Sequence, residues 1–180
     1  LQRVLDGNEA EPVEVVDLVG ANNVVLPPPD DIQLVFVTGV VPDGLKAPLQ
    51  ALVDRGGIVV VALKSTEVAE SVKSLLPDGC TVSEGSVTDY AMLGQVDFSS
   101  SLMHPFADAR FSDFSSIKFW KVRSLEFDQK QPNVQVIANF DSGKPAIVEL
   151  SRASGGRVVV LASGWQPVDS QWALSTRFPP

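Results

Sequence analysis

Apolar residues first gather in short blocks. Val13 to Leu18 (VEVVDL) and Ile32 to Val37 (IQLVFV) are brief and rich in β-branched side chains, the second ending at Thr38-Gly39, and both predict strands. Between them, Pro27-Pro28-Pro29-Asp30-Asp31 excludes regular structure. From Leu45 the period changes: Leu45, Leu49, Leu52 and Val53 fall on one helical face, with Asp43 placed to cap the start and Gly56-Gly57 to end it. Ile58 to Leu63 (IVVVAL) is apolar at every position, as a strand covered on both faces must be, and is expected at the centre of a sheet. Ser65 or Thr66 then caps a second helix carrying Val68, Val72, Leu75 and Leu76 on one stripe, stopped by Pro77-Asp78-Gly79. Strands alternating with single helices predict a mainly parallel sheet with helices on both faces.

The second half has a different pattern. Residues 80 to 130 show little periodicity, and a connection of that length within a compact domain is usually a functional or packing loop. Val134 to Asn139 and Ala146 to Leu150 flank Asp141-Ser142-Gly143-Lys144 and predict an antiparallel hairpin. A turn at Ser154-Gly155-Gly156 leads into Arg157 to Ala162 (RVVVLA), the third member of a meander. No internal repeat interrupts this order. At 180 residues the chain suits one domain, 1–180, with a full hydrophobic core. It lacks an initiating Met, and Leu1-Gln2-Arg3-Val4-Leu5 reads as the last turns of a helix, so it is expected to be a piece of a longer protein.

Composition removes several function classes. The formal net charge is −8, from 14 Lys and Arg against 22 Asp and Glu, and no basic cluster reverses it, so nucleic acid and anionic lipid are expected to be repelled. One cysteine cannot form an internal disulfide, and one histidine leaves no His/Cys metal site with enough ligands. No cofactor motif is present: Gly56-Gly57 and Gly155-Gly156 read as turns, since neither opens a helix after a strand in the phosphate-cradling arrangement. The longest apolar run, Ile58 to Leu63, is far short of the roughly 20 residues that cross a bilayer, so this piece does not itself insert.

The candidate chemistry is sparse. A nucleophile on a parallel sheet sits on a sharp turn between strand and helix, usually flanked by glycine; here that turn is Ala62-Leu63-Lys64-Ser65-Thr66, without glycine or cysteine. Ser65 could attack, but a serine ahead of a helix is far more often a cap. Cys80 follows a helix rather than a strand and reads as a small packing residue. His104 has Asp97, Asp108 and Asp113 nearby in sequence, so a His–carboxylate pair is chemically feasible, although a loop histidine resting on phenylalanines is the plainer reading. Phe106, Phe111, Phe114 and Phe119 follow neither structural period and are expected to pin an irregular loop to the domain. Trp120, Trp165 and Trp172 could form a stacking platform for a sugar or a partner, but tryptophans more often fill a core. His104, Trp120, Trp165 and Trp172 are therefore the candidate binding residues, and no residue is assigned as catalytic.

A set of short motifs adds a context. The helix closing at Gly56-Gly57 before the apolar strand 58–63 is followed by Asp97-Phe98, His104-Pro105-Phe106, Phe111-Ser112-Asp113-Phe114 and Phe119-Trp120. Further along come Phe140-Asp141-Ser142-Gly143 with Pro145-Ala146, and Gly156-Arg157-Val158 with Ser163-Gly164-Trp165. Together they resemble the class I glutamine amidotransferase-like domain of Bat (aerotolerance-type) bacterial membrane proteins, where it accompanies a von Willebrand factor A-like domain and membrane helices. The resemblance implies a flavodoxin-like three-layer α/β sandwich on the extracytoplasmic side of a membrane, tethered by segments outside this sequence. It also implies a domain without the Cys, His and Glu triad of working amidotransferases, so no catalytic residue is carried over; its partners would be neighbouring domains or another protein. Two alternatives stay open: a hydrolase or amidotransferase using Ser65 or Cys80 with His104, and a carbohydrate-binding module using the tryptophans.

Overall fold

The computed structural model describes residues 33–175. The expected strand at Val13 to Leu18 and the helical turns at residues 1–5 lie outside the described residues. The chain then runs through β1 (Leu34–Val37), α1 (Asp43–Asp54), β2 (Ile58–Ala62) and α2 (Thr66–Ser71), followed by β3 (Thr81–Glu84), β4 (Leu93–Val96), β5 (Arg123–Glu126), β6 (Val134–Phe140), β7 (Pro145–Ser151) and β8 (Arg157–Leu161).

Six strands form one sheet in the order β1-β2-β8-β7-β6-β4, and β3 pairs with β5 in a separate two-stranded sheet. β2 lies parallel to β1 on one side and to β8 on the other, pairing Ile58 with Leu34 and Arg157. β8 is also antiparallel to β7, and β6 is antiparallel to both β7 and β4. The uniformly apolar β2 and the valine-rich β8 are therefore interior strands, and Val59, Val61, Val158 and Val160 are wholly buried.

This architecture corrects the expected flavodoxin-like three-layer sandwich. Among the described residues there are two α-helices, of 12 and 6 residues, and the six-stranded sheet has more antiparallel than parallel neighbours. The expected meander is real, but its third strand hydrogen-bonds to β2 as well, so both halves share one sheet. Periodicity reports which face a strand buries and is silent on which strand it meets.

Details of the helices differ too. Asp43 is the first helical residue, not the cap; Pro42 holds that position, and Asp43 pairs with Lys46 at 2.8 Å. The second stripe is all buried, but α2 stops at Ser71 and Lys73–Leu75 continues as a 3-10 turn, so Leu75 and Leu76 reach the core from outside the helix. The expected loop of residues 80–130 contains three strands, each of four residues.

The aromatic stretch packs as anchors, with one exception. Phe114 is 3% exposed and touches the rings of Phe98, Phe106 and Trp172, while Phe119 meets Phe140 and Trp172. Phe111 is 46% exposed and lies under the Arg110 guanidinium instead of in the core.

Candidate functional site

Parallel strands in α/β sheets present their connecting loops, and most often their ligands, at their carboxyl ends. Here those ends are Val37 of β1, Ala62 of β2 and Leu161 of β8, and a charged cluster lies over them. Lys64 leaves β2 half-buried, with its Nζ 3.8 Å from where a Cβ on Gly39 would stand. A Cβ on Gly164, beyond β8, would come within 3.0 Å of Lys64 Cβ and collide with Asp169 Oδ2. Only glycine lets these two charged side chains close over the strand end. Asp169 is 4% exposed, pairs with Lys121 Nζ at 3.4 Å, and accepts the backbone N–H groups of Trp120 and Lys121 at its carbonyl.

Arg123, the first residue of β5, ties the small sheet to this end. Its backbone N–H donates to Ala162 O, its Nη2 to the Lys64 carbonyl and its Nη1 to the Val122 carbonyl at 3.1 Å, and Nη1 also pairs with Glu84 at 3.1 Å. Only 4% of Arg123 is exposed, and its Nε is buried without a hydrogen-bond partner. A buried guanidinium needs such partners, because its desolvation otherwise outweighs the attraction of one carboxylate. Among the described residues, the Lys64 ammonium has neither a hydrogen bond nor an ion pair, and the Glu67 carboxylate, within the field of Arg123, has no ion pair either.

Ser65 occupies the cap position of α2, but its hydroxyl makes no capping bond. It hydrogen-bonds the Glu67 carboxylate, which with Glu67's own backbone N–H holds that carboxyl below its ordinary pKa. Its backbone is extended, φ −156° and ψ 166°, and no described residue other than glycine has positive φ. The strained turn that thrusts a nucleophile out of a sheet is not formed here.

The other sequence candidates are dispersed. Burial pushes the Cys80 thiol up to about 11, away from the thiolate that reacts. His104 is exposed on a 3-10 turn, and no hydrogen bond joins any two of Ser65, Cys80 and His104. The carboxylates near His104 in sequence serve others: Asp97 holds Ser99 and Gln135, Asp108 accepts three bonds from Arg110, and Asp113 holds Ser115. Ser65 follows the carboxyl end of β2, whereas the segment bearing His104 is anchored through Ser101 to Arg157 at the opposite end of β8. Among the described residues, no three His, Cys, Asp or Glu side chains gather as a metal site.

The three tryptophans do not share a platform. Trp172 is 3% exposed in the aromatic core, Trp165 is half-buried with its ring 5.6 Å from Phe36, and Trp120 is 37% exposed. A small apolar cavity of about 10 Å³ beside Ser163, Gly164, Trp165 and Trp172 has room for roughly one water, far below the volume of an organic ligand site.

Lys64, Arg123 and Asp169 were not singled out from sequence. The available signals were a lysine directly after an all-apolar strand, and an arginine between the apolar Val122 and Leu125.

No protein-family model matches the chain, and no curated protein matches its sequence. Solved structures do. One is a cytoplasmic protein of Salmonella typhimurium, 14% identical at a TM-score of 0.52, over 80% of this chain and 67% of that one. Another is an exo-β-1,4-mannosidase of Opitutaceae bacterium strain TAV5, 15% identical at a TM-score of 0.49, over 76% of this chain. This chain spans 21% of that mannosidase's length. At such identities the likeness is one of fold alone.

Proposed function

We propose that this chain is a non-catalytic, amidotransferase-like binding or scaffolding domain of a bacterial membrane-tethered protein. In this reading it stands on the extracytoplasmic side and holds neighbouring domains of its parent chain or an adjacent protein. The motif resemblance supplies the context, and the observation that carries the reading is the turn after β2. Ser65 sits there in extended backbone with its hydroxyl given to Glu67, and neither a base nor an unsatisfied strand-to-helix elbow accompanies it. A hydroxyl that donates to a carboxylate on its own helix is positioned for local structure rather than for attack on a bound carbonyl.

The test is ammonia release from glutamine, together with hydrolysis of a p-nitrophenyl ester, by the purified domain. The expected rates equal those of a Ser65→Ala/Cys80→Ala double variant. A rate above that background, lost in either single variant, overturns the non-catalytic reading.

A further inference from the structure

The six-stranded sheet ends differently on its two sides. β4 closes one side, and its ladder with β6 shifts register between Leu93 and Gln95, the kind of irregularity that blunts an edge. β1 closes the other side without such a device: Leu34-Val35-Phe36-Val37 carries no charge, proline or glycine, and its register with β2 is unbroken. That register also fixes which way the backbone points. The Ile58 N–H donates to Gln33 O at 2.9 Å, so Val35 and Val37 turn their backbone groups toward β2, while Leu34 and Phe36 turn theirs away from the sheet. Among the described residues, no backbone partner meets those outward groups. The side chains of Leu34 and Phe36 share one face of the strand. Leu34 is 46% exposed, and the Phe36 ring lies 5.6 Å from that of Trp165.

We propose that β1 adds a strand from a separate polypeptide: an extended, uncharged segment rich in β-branched or aromatic residues, whose main chain bonds to Leu34 and Phe36. The proposal deepens the binding-domain reading by naming the surface and the kind of partner, and rests on it. The backbone selects the class of occupant. Outward N–H and C=O groups recur on every second residue, roughly 6.6 Å apart, a spacing that an extended peptide matches and a sugar, a nucleotide or a lipid headgroup does not. Side chains select its character. A strand laid beside β1 covers Leu34, so a charged residue opposite it loses water without gaining a counter-ion. Two nearer occupants fit less well. A second copy brings another net charge of −8 to the same edge. Residues 13–18 of this chain (VEVVDL) carry Glu14 on one alternating face and Asp17 on the other, so whichever face is set beside Leu34 brings a carboxylate.

The test reads amide hydrogen exchange by NMR in the domain alone and with millimolar acetylated, amidated octapeptides of alternating valine and threonine. Alone, the Leu34 and Phe36 amides are expected to exchange fast and those of Val35 and Val37 slowly. The peptide is expected to slow Leu34 and Phe36 by at least about tenfold. The same peptide N-methylated at every residue keeps its side chains but loses its donors, and is expected to give no protection; a peptide with glutamate in place of valine is expected to give none either. Leu34→Lys, which sets a charge on the edge, is expected to weaken the valine peptide by at least about tenfold while Val35 and Val37 stay slow. Should that variant fail to fold, the peptide comparison, which needs no variant, still decides. Leu34 and Phe36 amides that are slow in the domain alone, unmoved by the valine peptide, or slowed equally by the N-methylated or glutamate peptide overturn the proposal. Slowing that follows domain concentration without peptide marks a second copy and overturns it too. Glutamine hydrolysis and amide exchange are separate readouts, so this proposal and the non-catalytic reading fail separately.

Discussion

Gly155 and Gly156 are adjacent, and replacing each with alanine should cost very different amounts. At Gly155 the space is open, with no atom within 4 Å of an added Cβ, and the only penalty is φ +88°. A left-handed backbone costs an L-residue about 1–2 kcal/mol. At Gly156 the backbone angle is ordinary, but a Cβ would stand 1.8 Å from the Val53 carbonyl oxygen and 2.8 Å from its carbon. Both are main-chain atoms of the last turn of α1, which cannot rotate aside as a side chain can. Real Cβ contacts do not fall below 3.0 Å, so α1 and the start of β8 must part by about 1.2 Å. That movement breaks the seat of Ser154, whose hydroxyl donates to the same Val53 carbonyl at 3.1 Å. Overpacking costs about 1–3 kcal/mol and occasionally more, and a main-chain clash that no side-chain rotation relieves stands at the top of that range. Urea unfolding followed by circular dichroism separates the two. With a slope of about 2 kcal/mol per molar, Gly155→Ala should lower the midpoint by roughly 0.5–1 M and Gly156→Ala by at least about 1.5 M. Loss of a cooperative transition in Gly156→Ala counts as the larger effect. A Gly156→Ala midpoint equal to or above that of Gly155→Ala refutes the close-approach argument.

Two more expectations concern the aromatic stretch and the thiol. Phe114→Ala should destabilise by about 3–5 kcal/mol, because it removes a buried ring contacting three others, while Phe111→Ala should stay within about 0.5 kcal/mol; thermal unfolding that ranks them alike contradicts the packing described. Cys80 should react slowly with a disulfide reagent at neutral pH and speed up as pH approaches 11, whereas the urea-unfolded chain should react near pH 9. Because its folded pKa is raised, the associated stabilisation is full below about pH 9 and is lost as pH rises toward 11; a native thiol that reacts like the unfolded one sinks the burial argument.

Much of the local structure was legible in the chain. The stripe at Leu49, Leu52 and Val53 gave α1, the unbroken IVVVA gave an interior strand, and Asp141-Ser142-Gly143-Lys144 gave the hairpin. The missed strands share a trait. Thr81–Glu84, Leu93–Val96 and Arg123–Glu126 each run four residues, too short for a two-residue period to stand out, and Leu93-Gly94-Gln95-Val96 has polar or glycine interior positions. Pairing was the larger gap. Nothing in RVVVL tells a reader that β8 meets β2 across nearly a hundred residues, because a backbone ladder is indifferent to side-chain identity. The carboxyl-end cluster was hidden for the same reason: Lys64, Arg123 and Asp169 are far apart in sequence and meet only once that pairing exists.

The position of β8 has a consequence for how an incomplete chain behaves. The last strand among the described residues sits between β2 and β7, so the β1-β2 pair and the β7-β6-β4 group are joined into one sheet only through residues 157–161. Without them, β2 presents one side of an uncharged IVVVA ladder with nothing alongside, the kind of edge on which incomplete chains clump. Chains truncated before residue 157 should therefore self-associate, read as light scattering, at concentrations where a chain that includes β8 does not.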